Sequence, residues 1–316
     1  LTFTGIEAES FTIDDGITSI TYPFEGRDSY GMTIHTDCTV TVNGGSADVA
    51  YREVIRDYEK LIPATIGCAH KKCAFCHMYE NCSYEEVSIN DIDYELRYGN
   101  EYTERVFLTG ADPLHMGFEK MMKILKLIQR RLPRCACVAA YAAVRTIYRY
   151  SVEELQQLHD AGLRLLYIGF ESGDDGVLKF MRKGHTVEMA LEAARKLNEA
   201  KLPFNTIIMY GIAGKGKGVE HAHKTAAMVN QFKSNKVVTM NLTLFDSTPL
   251  AAMVTKGEFT EAPMYERKEE VRTLINEISP ETPVLFDTTH AKNLVKLLGT
   301  LPTDKEKLIE QLEKEW

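Results

Sequence analysis

The chain alternates between short apolar runs and longer segments in which apolar residues recur every three or four positions. The short runs predict strands, and the longer segments predict amphipathic helices. Ser151 and Glu154 give one helix the sequence of a capping box, and Gly162 follows its last turn. The predicted strands cover 61–66, 105–108, 137–141, 165–170, 204–210 and 237–245, and the predicted helices cover 117–132, 151–161, 186–200 and 219–232.

The order of these elements predicts the fold class. Strands that are apolar along their length and alternate with helices are typical of a parallel sheet covered by helices, so we predict an α/β fold. Ligand sites in such sheets lie at the carboxyl ends of the strands. We therefore expect the functional site in the polar, glycine-rich segments that follow the strands, at 109–114, 171–174, 180–185, 211–218 and 246–250.

The two ends of the chain have other patterns. Residues 11–42 are rich in Thr and β-branched residues that alternate with polar ones, and Asn43-Gly44-Gly45 is typical of a turn. Together they predict antiparallel strands. Residues 305–316 have the apolar spacing of a final helix.

Three closely spaced cysteines are the strongest chemical signal. Cys68, Cys73 and Cys76 form the pattern Cys-x4-Cys-x2-Cys directly after the first predicted strand. Three thiolates fill three iron sites of a [4Fe-4S] cluster and leave the fourth iron open for a non-protein ligand. An open metal position usually indicates chemistry, because structural sites close their coordination shell. The spacing therefore favours a catalytic iron–sulfur cluster.

Three other interpretations of these cysteines stay open on the residues alone. The three cysteines and His77 could be the four ligands of a tetrahedral zinc site, although zinc modules usually take their ligands from two separate arms of the chain. The run Cys73–His77 matches the c-type haem attachment pattern, which is expected on secreted chains. Reduced cysteines are also commonly buried as small hydrophobes, but the neighbouring Lys71 and Lys72 disfavour apolar burial.

Composition limits the class of protein. Apolar residues make up 44% and charged residues 26% of the chain, as in ordinary globular proteins. The net charge of -8 disfavours binding to nucleic acid or to an anionic membrane, and no apolar stretch reaches the length of a membrane span. Seven cysteines without a leader-like first segment favour a reducing cytoplasm over a disulfide-bonded scaffold.

One loop partly matches a phosphate-binding motif. The segment 211–217 has the spacing G-x4-G-K, but Gly218 stands where the motif requires Ser or Thr to hold magnesium. We expect a tight turn that lets the backbone approach a ligand, rather than a nucleotide-triphosphate site.

Taken together, these segments resemble the radical S-adenosylmethionine (SAM) enzymes, particularly their coproporphyrinogen-oxidase-like branch. The resemblance runs from about residue 61 to the end. It rests on the three cysteines and on four segments that are similar to family segments at 110–114, 168–173, 208–214 and 242–250. Four features depart from the family pattern. The first cysteine gap is four rather than three, and Asp112 replaces Glu. The third strand ends at Tyr141-Ala-Ala, where several relatives place a carboxylate, and Asp246-Ser247 replaces Pro-Gly.

The resemblance implies a fold, a set of domains and an activity. The implied fold is a partial (β/α)6 TIM barrel, with an N-terminal β-rich extension at 1–55, the core at 56–250 and a C-terminal helical segment that closes the barrel at 251–316. The implied protein is an enzyme with a [4Fe-4S] cluster and SAM as cofactors. In such enzymes one electron from the reduced cluster cleaves SAM to a 5′-deoxyadenosyl radical, which abstracts hydrogen from a small organic substrate.

The resemblance also implies which residues meet each cofactor. The three cysteines are the metal ligands. Asp112 pairs with the methionine ammonium, Lys183 pairs with its carboxylate, and Glu171 accepts hydrogen bonds from the ribose. The other implied SAM contacts are Phe75, Gly110, Ala111, Ser172, Tyr210, Gly211 and Thr243.

Substrate and partner residues are less well defined by the sequence. Tyr141 and Arg145 follow the third strand and join the cysteines as candidate catalytic residues, because an arginine there can hold a substrate carboxylate or phosphate. The resemblance implies a small-molecule substrate and an electron donor such as flavodoxin or ferredoxin. The alternatives are a radical SAM methyltransferase or lyase, and a non-catalytic zinc-binding module. Weaker candidates for substrate contact are Arg149, Asp246, His290 and Asn293.

Overall fold

A computed structural model describes residues 60–79, 82–99 and 102–315, and the backbone of four strands that precede them. The four strands form an antiparallel sheet in chain order, as their sequence pattern predicted. The predictions for residues 24–38 and for the turn at Asn43-Gly44 lie outside the described residues. The bounds of the strands are β1 (Ser10–Asp14), β2 (Thr18–Pro23), β3 (Thr39–Val42) and β4 (Gly45–Asp48).

The centre of the protein is an eight-stranded sheet. From residue 60 onward the strands are β5 (Lys60–Pro63), β6 (Thr65–Ile66), β7 (Glu85–Glu86), β8 (Arg105–Thr109), β9 (Cys137–Ala142), β10 (Leu163–Glu171), β11 (Phe204–Tyr210), β12 (Lys236–Asn241), β13 (Val284–Asp287) and β14 (Leu298–Leu301). The sheet order is β5-β8-β9-β10-β11-β12-β13-β14, in which neighbours are parallel except for the antiparallel pair β13 and β14. β6 and β7 pair separately.

Helices follow most of these strands in the chain and cover the sheet. In chain order they are α1 (Ile89–Leu96), α2 (Phe118–Arg131), α3 (Val144–Ile147), α4 (Val152–Asp160), α5 (Asp175–Phe180), α6 (Val187–Glu199), α7 (Gly218–Val229), α8 (Pro249–Thr255), α9 (Met264–Glu277) and α10 (Lys305–Glu315). The two edge strands of the described sheet, β5 and β14, do not pair with each other. The sheet is therefore open, in agreement with the α/β fold and the partial barrel that were predicted.

Local sequence accounts for the helices that were predicted. The capping box at the start of α4 is present, with Ser151 N donating to Glu154 Oε2 at 2.8 Å and Glu154 N donating to Ser151 Oγ at 3.1 Å. On α2, Ile124 and Leu125 are at most 1% exposed. Burial of one such side chain stabilises the fold by about 1.5–3 kcal/mol. Among the described helices, none is both long and apolar enough to cross a membrane.

The six predicted strands are all present, but the C-terminal segment differs from its prediction. Residues 251–316 were predicted to be helical, and they also contribute β13 and β14 to the sheet. Each of these strands has four residues, which is too short to show a strand period between the helices α9 and α10. β12 ends at Asn241 rather than at Phe245, because Arg267 Nη1 donates to the carbonyl oxygen of Leu242 at 2.8 Å.

Candidate active site

The cysteine loop follows β6 and is fixed at its centre by Ala74. This residue is fully buried; its N–H donates to the carbonyl oxygen of Met181 at 2.9 Å, and its own carbonyl oxygen accepts from Leu250 N at 2.8 Å. The loop is therefore held between the segment that follows β10 and the start of α8. Cys68, Cys73 and Cys76 all line the two cavities that meet at this loop.

The burial of the cysteine thiols affects their ionisation and therefore their ability to bind a metal. Burial raises the pKa of Cys73 to about 11, so the thiolate needs a nearby cation to form at neutral pH. A metal centre would supply that positive charge. In a zinc site, every ligand contacts the same ion. Among the described residues, no three Cys, His, Asp or Glu side chains already lie close enough together to hold one ion, and this applies to the three cysteines as much as to a set that adds His77.

The inner cavity lies at the carboxyl ends of the strands and has a volume of about 310 Å³. Strand residues that were not predicted as site residues form much of its wall, among them Tyr167, Ile207, Met209 and Met240. The predicted site residues that line it are Cys68, Cys73, Phe75, Cys76, Ala111, Asp112, Tyr141, Arg145, Glu171, Lys183, Thr243 and His290.

Asp112 places a buried carboxylate on the cavity wall after β8. Its Oδ2 accepts from Thr146 Oγ1 at 2.6 Å, whereas Oδ1 has no hydrogen-bond partner in the described structure. Burial raises the pKa of Asp112 to about 6, although the bond from Thr146, a contact with the backbone of Ala143 and the charges of Arg145 and Lys183 act in the opposite direction. A buried acceptor without a partner is unfavourable, and a cationic ligand group such as an ammonium would satisfy it.

A glycine brings Asp112 to this position. Gly110 has a φ of +117°, and a Cβ atom there would lie 2.0 Å from Thr65 Oγ1 and 2.6 Å from the Thr65 carbonyl oxygen. Only glycine has the conformational freedom and the small size that this approach to β6 requires. Gly110 does not line the cavity, and the structure gives it a role in the backbone; its predicted contact with SAM stays a prediction.

Glu171 and Lys183 face the same cavity and pair with each other. Lys183 Nζ donates to Glu171 Oε1 at 2.8 Å, and the ammonium also lies 6.0 Å from the centre of the Phe75 ring. Burial alone would lower the pKa of Lys183, but the Glu171 carboxylate and the Cys73 thiol outweigh it, so the pKa lies above the ordinary lysine value. The two residues that were predicted to bind different parts of SAM thus form one ion pair.

Arg145 lies on the cavity wall beside a histidine of the cysteine loop. Arg145 Nη1 donates to His70 Nδ1 at 2.8 Å, and His70 Nε2 donates to the carbonyl oxygen of Arg182 at 2.7 Å. These two bonds are compatible with a neutral His70, and burial lowers its pKa in the same sense. The contact links the loop after β9 to the cysteine loop.

Several predicted residues lie away from the cavity. Tyr210 is fully buried, and its hydroxyl accepts from Leu294 N at 3.1 Å. Asn293 is 7% exposed, and its side chain binds the backbone of Asn241 at 2.7 Å and of Thr239 at 2.7 Å. Both residues hold the end of the sheet together. The predicted residues outside the cavity lining are Gly110, Arg149, Ser172, Tyr210, Gly211, Asp246 and Asn293.

The glycine-rich loop after β11 also differs from its prediction. Gly211 N donates to Glu270 Oε2 at 2.8 Å, and a Cβ atom at Gly214 would lie 2.8 Å from the Phe259 ring. The glycines therefore let α9 and the segment before it approach the loop, rather than a ligand. Glu270 was not predicted from the sequence, although a Glu at a core-facing position of an amphipathic helix is a signal for a buried polar contact.

The fold and the site together define a class. The protein is an α/β protein with an open parallel sheet, and its cysteine loop and a cavity with an unsatisfied carboxylate lie at the carboxyl edge of that sheet.

The sequence model of the Radical SAM superfamily matches residues 62–226, just over half of the chain. The chain therefore belongs to the radical SAM superfamily. Members of this superfamily are enzymes that use a [4Fe-4S] cluster and SAM, and these are the cofactors of this protein.

Individual relatives are more distant. The heme chaperone HemW of Bacillus subtilis is 25% identical over 146 residues, which cover 45% of this chain and 37% of the relative. The chain thus matches little more than a third of that protein's length.

Two solved structures show the likeness of the fold. The radical SAM methyltransferase TsrM of Kitasatospora setae, with cobalamin and a [4Fe-4S] cluster bound, has a TM-score of 0.53 and 16% identity over 63% of this chain and 39% of TsrM. The archaeal Elp3 of Methanocaldococcus infernus has a TM-score of 0.51 and 18% identity over 72% of this chain and 60% of Elp3.

Proposed function

We propose that Cys68, Cys73 and Cys76 hold the [4Fe-4S] cluster and that the inner cavity binds SAM next to it, for hydrogen abstraction from a small organic substrate. The observation that carries this proposal is the unsatisfied Oδ1 of Asp112 in the cavity that the three cysteines line. When bound, the reduced cluster supplies the electron that cleaves SAM into methionine and a 5′-deoxyadenosyl radical.

The residues of this chain bind and orient the cosubstrate. Asp112 Oδ1 accepts from the SAM ammonium, which removes the cost of its missing hydrogen bond. Glu171 lines the cavity, and a ribose hydroxyl donates to its Oε2, since the bond from Lys183 goes to Oε1. Arg145 and Lys183 supply the positive charge for the SAM carboxylate. Phe75 and Thr243 complete the SAM-binding wall.

The rest of the cavity supports a small substrate with an apolar body. Tyr141 and Tyr167 lie with their ring centres 5.9 Å apart, and the wall continues through Met209 and Met240. Such a surface excludes water from a reactive radical, which would otherwise be quenched in side reactions. His290 lies at the end of this wall, where it contributes a polar contact to the substrate.

The test is reductive cleavage of SAM by the full chain. Anaerobically reconstituted protein is mixed with dithionite and SAM, and 5′-deoxyadenosine is measured. We expect product from the wild type, loss of product in Cys73→Ala, and product at the wild-type level in Cys135→Ala, a matched cysteine that lies outside both cavities. Failure of the iron-loaded wild type to form 5′-deoxyadenosine contradicts the proposal.

An acidic one-electron carrier such as flavodoxin or ferredoxin is the proposed electron donor. The outer cavity, of about 1120 Å³, is lined by Lys71, Lys72, Lys179 and Arg182 beside the cysteines, although the whole chain carries a net charge of -8. A cationic surface over the cluster loop attracts an acidic carrier and speeds its encounter.

The donor surface is tested by charge reversal. We expect Lys72→Glu with Lys179→Glu to slow product formation driven by reduced flavodoxin about tenfold at low salt, while leaving the dithionite reaction unchanged. The matched control is Lys123→Glu with Lys126→Glu, two exposed lysines of α2 that line neither cavity. Equal rates for the two double variants with flavodoxin contradict this docking surface.

A further inference from the structure

A chain of buried hydrogen bonds lies behind the cavity wall. Ser172 Oγ lies 2.8 Å from His221 Nε2, and His221 Nδ1 lies 2.7 Å from Glu270 Oε1. Glu270 Oε2 accepts from Gly211 N at 2.8 Å. The side chains come from the loop after β10, from α7 and from α9, and each of Ser172, His221 and Glu270 is at most 2% exposed. These hydrogen bonds therefore connect the loop after β10 to the loop after β11 through the helices α7 and α9.

One arrangement of protons gives each of Ser172, His221 and Glu270 a hydrogen-bond partner. His221 Nδ1 donates to Glu270, and His221 Nε2 accepts from the Ser172 hydroxyl. The Ser172 oxygen then accepts from Asp174 N at 3.0 Å, and both carboxylate oxygens of Glu270 are occupied. Thr225 Oγ1 also lies 3.3 Å from His221 Nε2 and accepts from Gly173 N at 3.0 Å, so it belongs to the same network. Satisfied buried networks hold their members in one geometry.

The distances are those of a Ser-His-Glu catalytic triad, but the environment excludes that role. Ser172 and Glu270 are completely buried, and none of the three residues lines either cavity of the described structure. A substrate carbonyl therefore has no route to the Ser172 oxygen. The hydrogen-bonded residues therefore have a structural effect, because they fix the backbone after β10 and the backbone after β11, on the two sides of the proposed SAM cavity.

The loop that Ser172 anchors is under conformational constraint. Glu171, the preceding residue, has a φ of +63°, which is unfavourable for a residue with a side chain and persists only when its surroundings enforce it. The following residue is pressed onto α7, since a Cβ atom at Gly173 would lie 2.4 Å from the carbonyl oxygen of Lys224. Ser172 and Gly173 thus fix the one segment that presents Glu171 to the cavity.

We infer that Ser172, His221 and Glu270 are positioning residues for SAM, an inference that rests on the proposed function. Through Ser172 they hold Glu171 in its left-handed conformation on the cavity wall, and through Gly211 they hold the end of β11 at a fixed distance from it. The helix α9 from the C-terminal segment therefore supports the SAM site from behind the cavity wall, whereas the sequence predicted only that this segment closes the barrel.

The test compares two buried serines. Ser172→Ala is expected to raise the dissociation constant of SAM about tenfold in the reconstituted protein, with the rate of 5′-deoxyadenosine formation at saturating SAM within about twofold of wild type. Ser234→Ala is the matched control, because Ser234 is 7% exposed and its hydroxyl bonds to the Phe204 and Lys236 carbonyl oxygens at the opposite end of the sheet. It is expected to lose stability without losing SAM affinity.

Two further measurements keep the test independent of turnover and of folding. Ser172→Cys keeps a hydrogen-bonding group at this position, although its side chain is somewhat larger and its hydrogen bonds are weaker, so it is expected to raise the dissociation constant by a smaller factor than Ser172→Ala. Nitrogen-15 NMR of the metal-free protein is expected to show His221 protonated on Nδ1, and Glu270→Gln is expected to move the proton to Nε2, because the amide can donate to Nδ1.

Each outcome is decisive. A wild-type holoenzyme that binds no SAM overturns the proposed function and this inference with it. A wild type that binds SAM, with equal affinities in the Ser172 and Ser234 variants, overturns this inference alone and leaves the proposed function intact. A wild-type His221 protonated on Nε2 overturns the proton arrangement on which the positioning argument depends.

Discussion

Asp112 and Glu171 are two carboxylates on one cavity wall, and their surroundings are opposite. Asp112 follows β8, accepts from a neutral hydroxyl and has one oxygen without a partner in the described structure. Glu171 is the last residue of β10 and is paired with the ammonium of Lys183. Glu171 therefore has a direct ion-pair partner, whereas Asp112 feels Arg145 and Lys183 only at longer range and keeps Oδ1 without a hydrogen bond. This difference is the reason for proposing that the SAM ammonium binds at Asp112 rather than at Glu171.

The largest expected effect is on SAM binding at Asp112. Asp112→Asn keeps the shape of the side chain but removes the charge that faces the ammonium, and we expect SAM affinity to fall about 100-fold, or about 3 kcal/mol. Equilibrium binding of labelled SAM to reconstituted protein at pH 8 measures this. Glu171→Gln is the matched variant and should weaken binding about tenfold, as Ser172→Ala is expected to do through the position of Glu171. A larger loss in Glu171→Gln than in Asp112→Asn would reverse the assignment.

Replacing each carboxylate by an amide should change the stability of the metal-free protein in opposite directions. Glu171→Gln leaves the Lys183 ammonium in the cavity wall without its counter-charge, and we expect a loss of about 2 kcal/mol in the free energy of unfolding. Denaturant titration under reducing conditions measures it. Replacing Lys183 by Met in the same chain should restore most of the loss, because no buried charge then remains. A double variant as unstable as the single one would show that the pair contributes packing rather than charge.

Replacing the carboxylate of Asp112 by the amide of Asn should stabilise the metal-free protein. The pKa of Asp112 is raised in the folded state, to about 6, so the unfolded chain loses this proton first as the pH rises. The free energy of unfolding therefore falls as the pH rises from the ordinary pKa of Asp to about 6, and it stays constant at higher pH. Asp112→Asn should therefore gain up to about 3 kcal/mol at pH 8 and much less at pH 4. Denaturant titrations at the two pH values check this, and a gain of the same size at both would contradict the pKa argument.

The comparison also shows what the sequence could predict. The positions of the strands along the chain, the cysteine loop and the location of Asp112 and Glu171 at the ends of β8 and β10 followed from apolar patterns and from segments that are local in the sequence. The pairing of Glu171 with Lys183 was not predictable in this way, because it depends on how the segment after β10 folds back onto its own strand.

Longer-range contacts account for the remaining differences. Ser172 and Gly211 were predicted as SAM contacts from their position next to strand ends. The structure turns them toward His221 and Glu270, which lie 49 residues from Ser172 and 59 residues from Gly211 along the chain. Sequence patterns report periodicity within an element, and they carry little information on which buried polar side chains of distant helices meet. β13 and β14 were missed for a related reason, since their pairing rather than their length identifies them as strands.

The smallest predicted effect concerns the hydroxyl that holds Asp112. Thr146 donates to Oδ2 at 2.6 Å, and this bond favours the charged form of Asp112 and lowers its pKa against the effect of burial. Thr146→Val removes the bond, so the pKa of Asp112 should rise by about one further unit, equivalent to about 1 kcal/mol. Because the ammonium of SAM binds the ionised carboxylate, the loss of SAM affinity at low pH should begin about one unit higher than in the wild type. Binding measured from about pH 5 to about pH 9 shows the shift. Thr206→Val is the matched control, since Thr206 is fully buried and bonds to Ser234 at the far end of the sheet. Identical pH profiles for Thr146→Val and the wild type would mean that Asp112 does not bind the ammonium as a carboxylate.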